Sequence, residues 1–422
     1  MIQRILKELL SFEKRERWFI LSAMFCGFFI NAEYAIARPV SNSVFIAAYS
    51  TQWFPYAWLA VVPFNLCLIA LYNKYLPRFG SLKMQWGLIS VIIAMSVGAA
   101  LFLQTARWLP FVFYVWKEIY VMLMFQQLWS VVHSTIPFHR AKYLYGILFG
   151  IGALGATLGS LVPSFFAVQM GSEQLLLATP IIYGLLAIAY RVLIRCSAQG
   201  QVMHPAEEKE KQSAWQAFKF GVDLIANSRF LLFILLLVVF MQVSTALIDF
   251  QFNHFLEKVV PNKDLRTAYT ARVMGITHMG TIMLQFLGSF LLIHFLGFKK
   301  SHLLIPVILI CNAVGFLFFP TMSIISLSFI TIKCFDFSLF GVIKEMLYIP
   351  LKKEEKFRAK SVIDVFAYRS SKALASLLIL CVQWIAIPAS QVLFNWLGIA
   401  IFVLWGVTVL FMFKTYEPVR NV

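Results

Sequence analysis

The chain has 422 residues, 60% of them hydrophobic and only 13% charged, with 42 phenylalanines and a formal net charge of +17. Soluble domains carry about 25% charged and 45–50% apolar residues, so this composition excludes a water-soluble globular protein and points to a membrane protein. The Lys and Arg residues lie in short segments between apolar runs rather than in one patch, as the positive-inside bias requires and a nucleic-acid surface does not.

The opening MIQRILKELLSFEKRER (1–17) is charged and amphipathic. It lacks the basic, apolar and small-residue order of a signal peptide and reads as an interfacial helix. A spanning helix needs about 20 mostly apolar residues. Twelve such runs follow: 18–38, 54–73, 85–105, 109–134, 143–168, 174–195, 229–251, 272–295, 303–321, 324–350, 361–387 and 391–414. Only helices or closed barrels satisfy the backbone in lipid, and runs this long are helices. Twelve spans put both termini on one face. That face carries Arg4, Lys7, Lys14, Arg15 and Arg17, then Lys74, Arg78 and Lys83, then Arg140 and Lys142, then Lys299 and Lys300, then Lys352, Lys353, Lys356, Arg358 and Lys360. Opposite loops such as QMGSEQ and AIPAS are nearly bare; the exception is 255–272, with Lys258, Lys263, Arg266 and Arg272. The basic face, with both termini, is therefore expected to be cytoplasmic in a multi-pass membrane protein.

The polar stretch 197–216 separates spans six and seven. The expected plan is an interfacial helix (1–17), a first six-helix bundle (18–196), a cytoplasmic linker with an interfacial helix (197–228), a second six-helix bundle (229–414) and a tail (415–422). The halves look related. RAK at 140–142 recurs at 358–360, and under nearly the same offset Gly80 falls on Gly297, Asn31 on Asp249 and Glu118 on Asp336. Two parallel six-helix repeats are the plan of a major-facilitator-like all-α membrane protein, with its substrate site at the midplane between the halves.

Charges within spans are rare and face a cavity or a partner. Here they are Glu33 and Arg38 in span one, Lys117 and Glu118 in span four, Asp249 in span seven, Lys333, Asp336, Lys344 and Glu345 in span ten, and Asp364, Arg369 and Lys372 in span eleven. The first and fourth helices of each half line the cavity in such a fold, which is where most of these charges stand. The structural alternative is that Arg38 and Glu345 snorkel from span ends and that the mid-span charges form fixed ion pairs. His133 reads as a packed or cavity residue, and the six scattered cysteines as packing residues rather than disulfides or a metal site. GIGALG (150–155) fits a dinucleotide fingerprint but lies inside span five with no strand before it. Gly146, Gly150, Gly155 and Gly159 instead form two G-x-x-x-G pairs that allow close helix packing. No ATP-hydrolysing loop or catalytic triad is present, so the chain does not read as an enzyme.

The stretch KEMLYIPLKKEEKFRAKSVIDVFAYRSSKALASLL resembles helices ten and eleven of the nucleotide transporter family, the ATP/ADP translocases of plastids and obligate intracellular bacteria. Lys344, Glu345, Met346, Tyr348, Pro350, Lys360, Asp364, Arg369 and Lys372 carry the match. A second segment, KEIYVMLMFQQLWSVVHSTIPFHRAKYLYGILFGIGA, is similar to the family's fourth and fifth helices through Glu118, Trp129, Lys142, Phe149 and Gly150. The sequence departs from the pattern at His133, Arg140 and Ser371, and Arg38 is the nearest cation to the family's first-helix lysine. The resemblance implies a carrier that exchanges ATP for ADP, or imports nucleotides with protons, with Glu118, Asp249 and Lys344 as its important charges.

The resulting expectation is a monomeric carrier of a small anionic solute, a nucleotide or related phosphorylated metabolite, working by alternating access among membrane lipid, without nucleic acid, metal or cofactor. Substrate contacts are expected at Lys117, Glu118, Asp249, Lys333, Asp336, Lys344, Arg369 and Lys372, and gating or secondary roles at Glu33, Arg38, His133, Glu345 and Asp364. Trp116, Phe335 and Tyr348 are candidates for stacking on a base. A carrier of another solute (organic anion, siderophore or peptide) and a non-transporting membrane receptor or scaffold are the alternatives.

Overall fold

The computed structural model describes residues 13–136, 138–197, 214–285, 289–349, 351, 359–360, 362–363, 368–385 and 390–415. Most of the N-terminal interfacial segment, most of the linker, the C-terminal tail and Asp364 fall outside them. Nine helices among the described residues are long and apolar enough to cross a membrane. They correspond to nine of the twelve expected spans. Of the other three, 109–134 is a helix that carries Lys117 and Glu118, and 272–295 and 361–387 cross residues outside the described set. The outward side chains are apolar, among them Phe64, Phe295 and Ile385 at 58%, 77% and 83% exposed. That is the reverse of a soluble protein and suits a hydrocarbon surround.

The chain divides into two compact units. The first comprises Met1–Ser50, Ala60–Pro205 and Val260–Met279; the second comprises Thr51–Leu59, Ala206–Val259 and Gly280–Val422. Each thus takes in a short segment from the other half of the sequence.

In the first unit α1 (Lys14–Tyr49) is the central element. A capping box opens it, the Glu13 N–H donating to Glu16 Oε2 at 3.1 Å. The helix continues past the expected end at residue 38, straight through Pro39. An interior proline costs a helix about 3 kcal/mol. Here Pro39 is buried, and its neighbours Ala37, Val40 and Val44 lie in a core with Ala99, Leu109, Phe113, Ala167 and Leu176 that sustains the helix. α2 (Phe54–Phe102) is two spans meeting at Gly80. α3 (Leu109–Thr135), α4 (Phe138–Met170) and α5 (Ala178–Cys196) follow, and all three pack on α1. The α1–α4 seam is glycine-lined. A Cβ at Gly155 would lie 2.9 Å from Phe28 Cα, and one at Gly159 would lie 2.7 Å from Ala32 Cα. The expected close-packing surface is therefore real at the Gly155–Gly159 pair, and the fingerprint-like stretch is helix interior. α8 (Lys263–Met283) contributes its first part to this unit. Its Asp264 accepts from Ser172 N–H at 2.8 Å, and its Lys263 pairs with Glu173 on the turn Glu173–Leu177. An acid from another loop thereby offsets part of the charge in the unusually basic 255–272 loop.

In the second unit, α6 (Ala214–Asn227) leads into α7 (Arg229–Val259), which packs on α11 (Met322–Phe335), α13 (Tyr368–Ile385) and α14 (Ser390–Thr415). α9 (Ser289–Leu296) precedes α10 (Phe298–Phe318), which lies on α14 and α11. Aromatic pairs lock these contacts: Phe252 and Phe329 have ring centroids 4.6 Å apart, and Phe250 and Phe394 5.0 Å. Span ten is not one regular helix. A wide, π-type turn (Asp336–Phe340) joins α11 to α12 (Gly341–Leu347).

The internal repeat reaches the backbone. Gly80 (φ 73°, ψ 162°) and Gly297 (φ 78°, ψ 164°), matched by sequence offset, hold the same left-handed conformation between consecutive helices. Only glycine takes such dihedrals without steric penalty.

Candidate functional site

In the first unit, α3 buries Lys117 completely in mid-helix. Its Nζ lies 2.9 Å from Glu118 Oε1, 3.4 Å from Asn42 Oδ1 and 4.3 Å from the Tyr114 ring centroid. A buried ammonium is tolerable only with such compensation. Arg38 reaches the face of Tyr34, its Cζ 5.9 Å from the centroid, and it stands well inside α1 rather than at a helix end. Glu33, also wholly buried, accepts from the Tyr120 hydroxyl at 2.9 Å and 3.0 Å and from Thr179 Oγ1 at 3.1 Å. His133 is exposed on α3, its ring 5.5 Å from that of Trp129.

In the second unit, Asp249 on α7 and Lys333 on α11 form an ion pair at 2.7 Å. Asp336 begins the wide turn and accepts from Gln242 Nε2 at 3.0 Å. π-type turns inside helices frequently mark functional sites, because they turn neighbouring side chains out of the regular helical pattern. Lys344 lies 3.6 Å from Glu345, which also binds Lys360 at 2.5 Å. Glu345 is half exposed, so its two pairs are weak tethers. Lys372 lies 5.2 Å from the ring centroid of Trp58. Asp364 and the side chain of Arg369 are outside the described residues. Of the stacking candidates, Phe335 and Tyr348 are 7% and 2% exposed, packed rather than open-faced.

The structure therefore joins Lys117 with Glu118 and Asp249 with Lys333. The uncharged partners Asn42, Tyr120, Thr179 and Gln242 could not be read from the sequence. A hydroxyl or amide in an apolar run is common, and nothing in its spacing marks the carboxylate or ammonium it will meet.

This architecture, long apolar helices carrying compensated charges in mid-span, is a major-facilitator-like fold. Three solved structures share the fold. A mutant of the nucleoside transporter NupG matches with a TM-score of 0.66 at 13% identity, covering 94% of this chain and 100% of that one. A bacterial homologue of the iron transporter ferroportin in the inward-facing state gives 0.65 at 12%, covering 93% and 98%. The POT family transporter PepTSo gives 0.64 at 10%, covering 97% and 99%.

The TLC ATP/ADP transporter family model matches residues 90–330 and 321–416, and the chain belongs to that family, one of transporters and not enzymes. Among curated relatives, ADP,ATP carrier protein 1 of Chlamydia pneumoniae is 24% identical over 315 residues, 64% of this chain and 60% of that one. ADP,ATP carrier protein 3 of Rickettsia bellii (strain RML369-C) is 20% identical over 305 residues, 62% and 60%. The matched part of this chain thus spans about 60% of the length of these relatives.

Proposed function

We propose that the chain is a carrier of the bacterial inner membrane that moves nucleotides, ATP and ADP or a related phosphorylated metabolite, by alternating access and in exchange, as a monomer with both termini cytoplasmic. The observation that carries the reading is the set of buried lysines, each neutralised by a carboxylate: Lys117 by Glu118, and Lys333 by Asp249. A nucleotide brings several negative charges into a low dielectric, where they must be met by cations. In the empty carrier the lysines are held by their carboxylates. A phosphate competes for them, and each release of a lysine changes the contacts between helices. Lys344, Lys372 and Arg369 supply further cations, and Asp336 keeps the empty site from excess positive charge. The names of the relatives and the family model support ATP and ADP as the substrates.

The test is uptake of radiolabelled ATP into proteoliposomes preloaded with ADP. Exchange by the wild-type chain that is lost in Lys117→Ala supports the reading. Failure of ATP, ADP and other nucleotides to exchange, while an organic anion or peptide does, would replace it with the other-solute carrier.

A further inference from the structure

Glu33 is unlike Glu118 and Glu173, the ion-paired carboxylates of the first unit. Among the described residues no cation lies within ion-pair distance of it, whereas Glu118 holds Lys117 and Glu173 holds Lys263. Its surroundings are hydroxyls. From α3 comes Tyr120, at 2.9 Å and 3.0 Å from the two carboxylate oxygens. From α5 come Thr179, at 3.1 Å, and Tyr183, whose fully buried hydroxyl faces Glu33. α4 meets this part of α1 through Gly155 and Gly159 and sets backbone, not a titratable group, against Phe28 and Ala32. On α1 itself the neighbouring titratable residues are Tyr34 and Arg38, and the Arg38 guanidinium stands over the Tyr34 ring. Lys117 is anchored at Asn42, nine residues and roughly 13 Å further along α1 at 1.5 Å per residue. The Glu173–Leu177 turn also packs on α1, but its Glu173 is taken by Lys263.

A hydroxyl cage serves a carboxyl group in both protonation states. Each O–H can donate to a carboxylate, and each oxygen can accept from a carboxylic acid. An ammonium or guanidinium can only donate and would hold the group ionised. Tyr183 completes the cage as a third hydroxyl that can donate to the carboxylate or accept from the acid. An ionised carboxylate with no cation is costly to bury, and uptake of one proton removes that charge.

We propose that Glu33 is a proton-binding site, at which one proton from water adds to the carboxylate to give the neutral acid in one half of the transport cycle and leaves again in the other. Movement of the solute is thereby coupled to movement of a proton. This rests on the chain being a carrier, and it specifies the driving ion.

The experiment has one arm that needs transport and one that does not. In the first, proteoliposomes holding the full chain and preloaded with ADP accumulate radiolabelled ATP with and without a pH gradient, the outside being the acidic side. One coupled proton raises steady-state accumulation about tenfold per pH unit. The wild type shows that dependence, and in Glu33→Gln the ratio with and without gradient falls to about one, whatever the absolute rate. A wild type indifferent to the gradient, or a variant that keeps the full dependence, overturns the proposal. In the second arm, infrared spectra of purified protein are recorded against bulk pH, with no solute present. A component of the carboxylic-acid carbonyl band that titrates in the wild type and is lost in Glu33→Gln, so that it stands out in the wild-type-minus-variant difference, is expected; identical titrating bands in the two proteins overturn the proposal. If no nucleotide moves in the first arm, the nucleotide reading fails while the second arm still decides Glu33. Should Glu33→Gln fail to insert, Tyr183→Phe removes a single oxygen and is expected to shift the titration midpoint of the band. An unshifted midpoint counts against the site.

Discussion

Replacing Asp249 with Asn tests the lysine–carboxylate pairs directly. Asp249 Oδ2 lies 2.7 Å from Lys333 Nζ, with the lysine side chain 8% and the carboxylate 14% exposed. At an effective dielectric of ~20, unit charges that close attract by about 6 kcal/mol before desolvation is counted. Opening a buried pair by removing one partner costs about 3–5 kcal/mol, because the remaining charge loses its compensation. At about 2.1 cal/mol/K of unfolding entropy per residue, a chain of 422 residues converts that into a fall of roughly 3–6 °C in the thermal midpoint. Lys333→Met should fall comparably. The double variant should fall by less than the sum, since it leaves no uncompensated charge. The assay is thermal unfolding of detergent-purified protein followed by tryptophan fluorescence, first without solute and then with ATP. If the carboxylate competes with phosphate for the lysine, ATP raises the midpoint more in Asp249→Asn than in the wild type. Single-variant losses that simply add, or an equal response to ATP, would refute the reasoning.

Other expectations concern separate parts of the molecule. Glu118→Ala and Lys344→Ala should each abolish ATP uptake in proteoliposomes while the protein still inserts and purifies; normal uptake by both would remove them from the site. Gly159→Leu forces a side chain against the α1 backbone at Ala32 and should cost at least about 1–3 kcal/mol, seen as a lowered thermal midpoint. Gly80→Ala and Gly297→Ala should each cost about 1–3 kcal/mol, because both positions pair a positive φ with an extended ψ that essentially only glycine adopts. Gly98→Ala, in open space within α2, should instead gain about 1 kcal/mol. Equal behaviour of all three in the same melting experiment would contradict the dihedrals.

The helices were legible because lipid leaves the sequence little freedom: apolar runs of spanning length must be helical, and nine of the twelve runs are spanning helices among the described residues. The relation between the halves was legible at Gly80 and Gly297 because a left-handed turn admits essentially one residue type. Helix ends were less so. The first run was expected to end at residue 38, but a helix end depends on what packs around it, and Val40 and Val44 are buried. The break in span ten left no sequence mark, since DFSLF is as compatible with an α-helix as with a π-type turn. At the site, formal charge marked the residues to inspect: Lys117, Glu118, Asp249 and Lys333 pair as charged residues in lipid must. Charge alone did not say with whom. Lys117 takes its own neighbour Glu118, and Glu33 takes no cation but hydroxyls from two other helices.

The wide turn at Asp336–Phe340 decides how span ten presents its cations. Lys333 and Lys344 are eleven positions apart, which in an unbroken α-helix is about three full turns and would stack both ammonium groups along one stripe. Absorbing one extra residue in the π-type turn swings everything beyond it by roughly a quarter of a revolution. The two lysines consequently point in different directions from a single rod, and Asp336 at the pivot remains within electrostatic reach of both. Deleting a single residue from that turn would realign them without removing any charge.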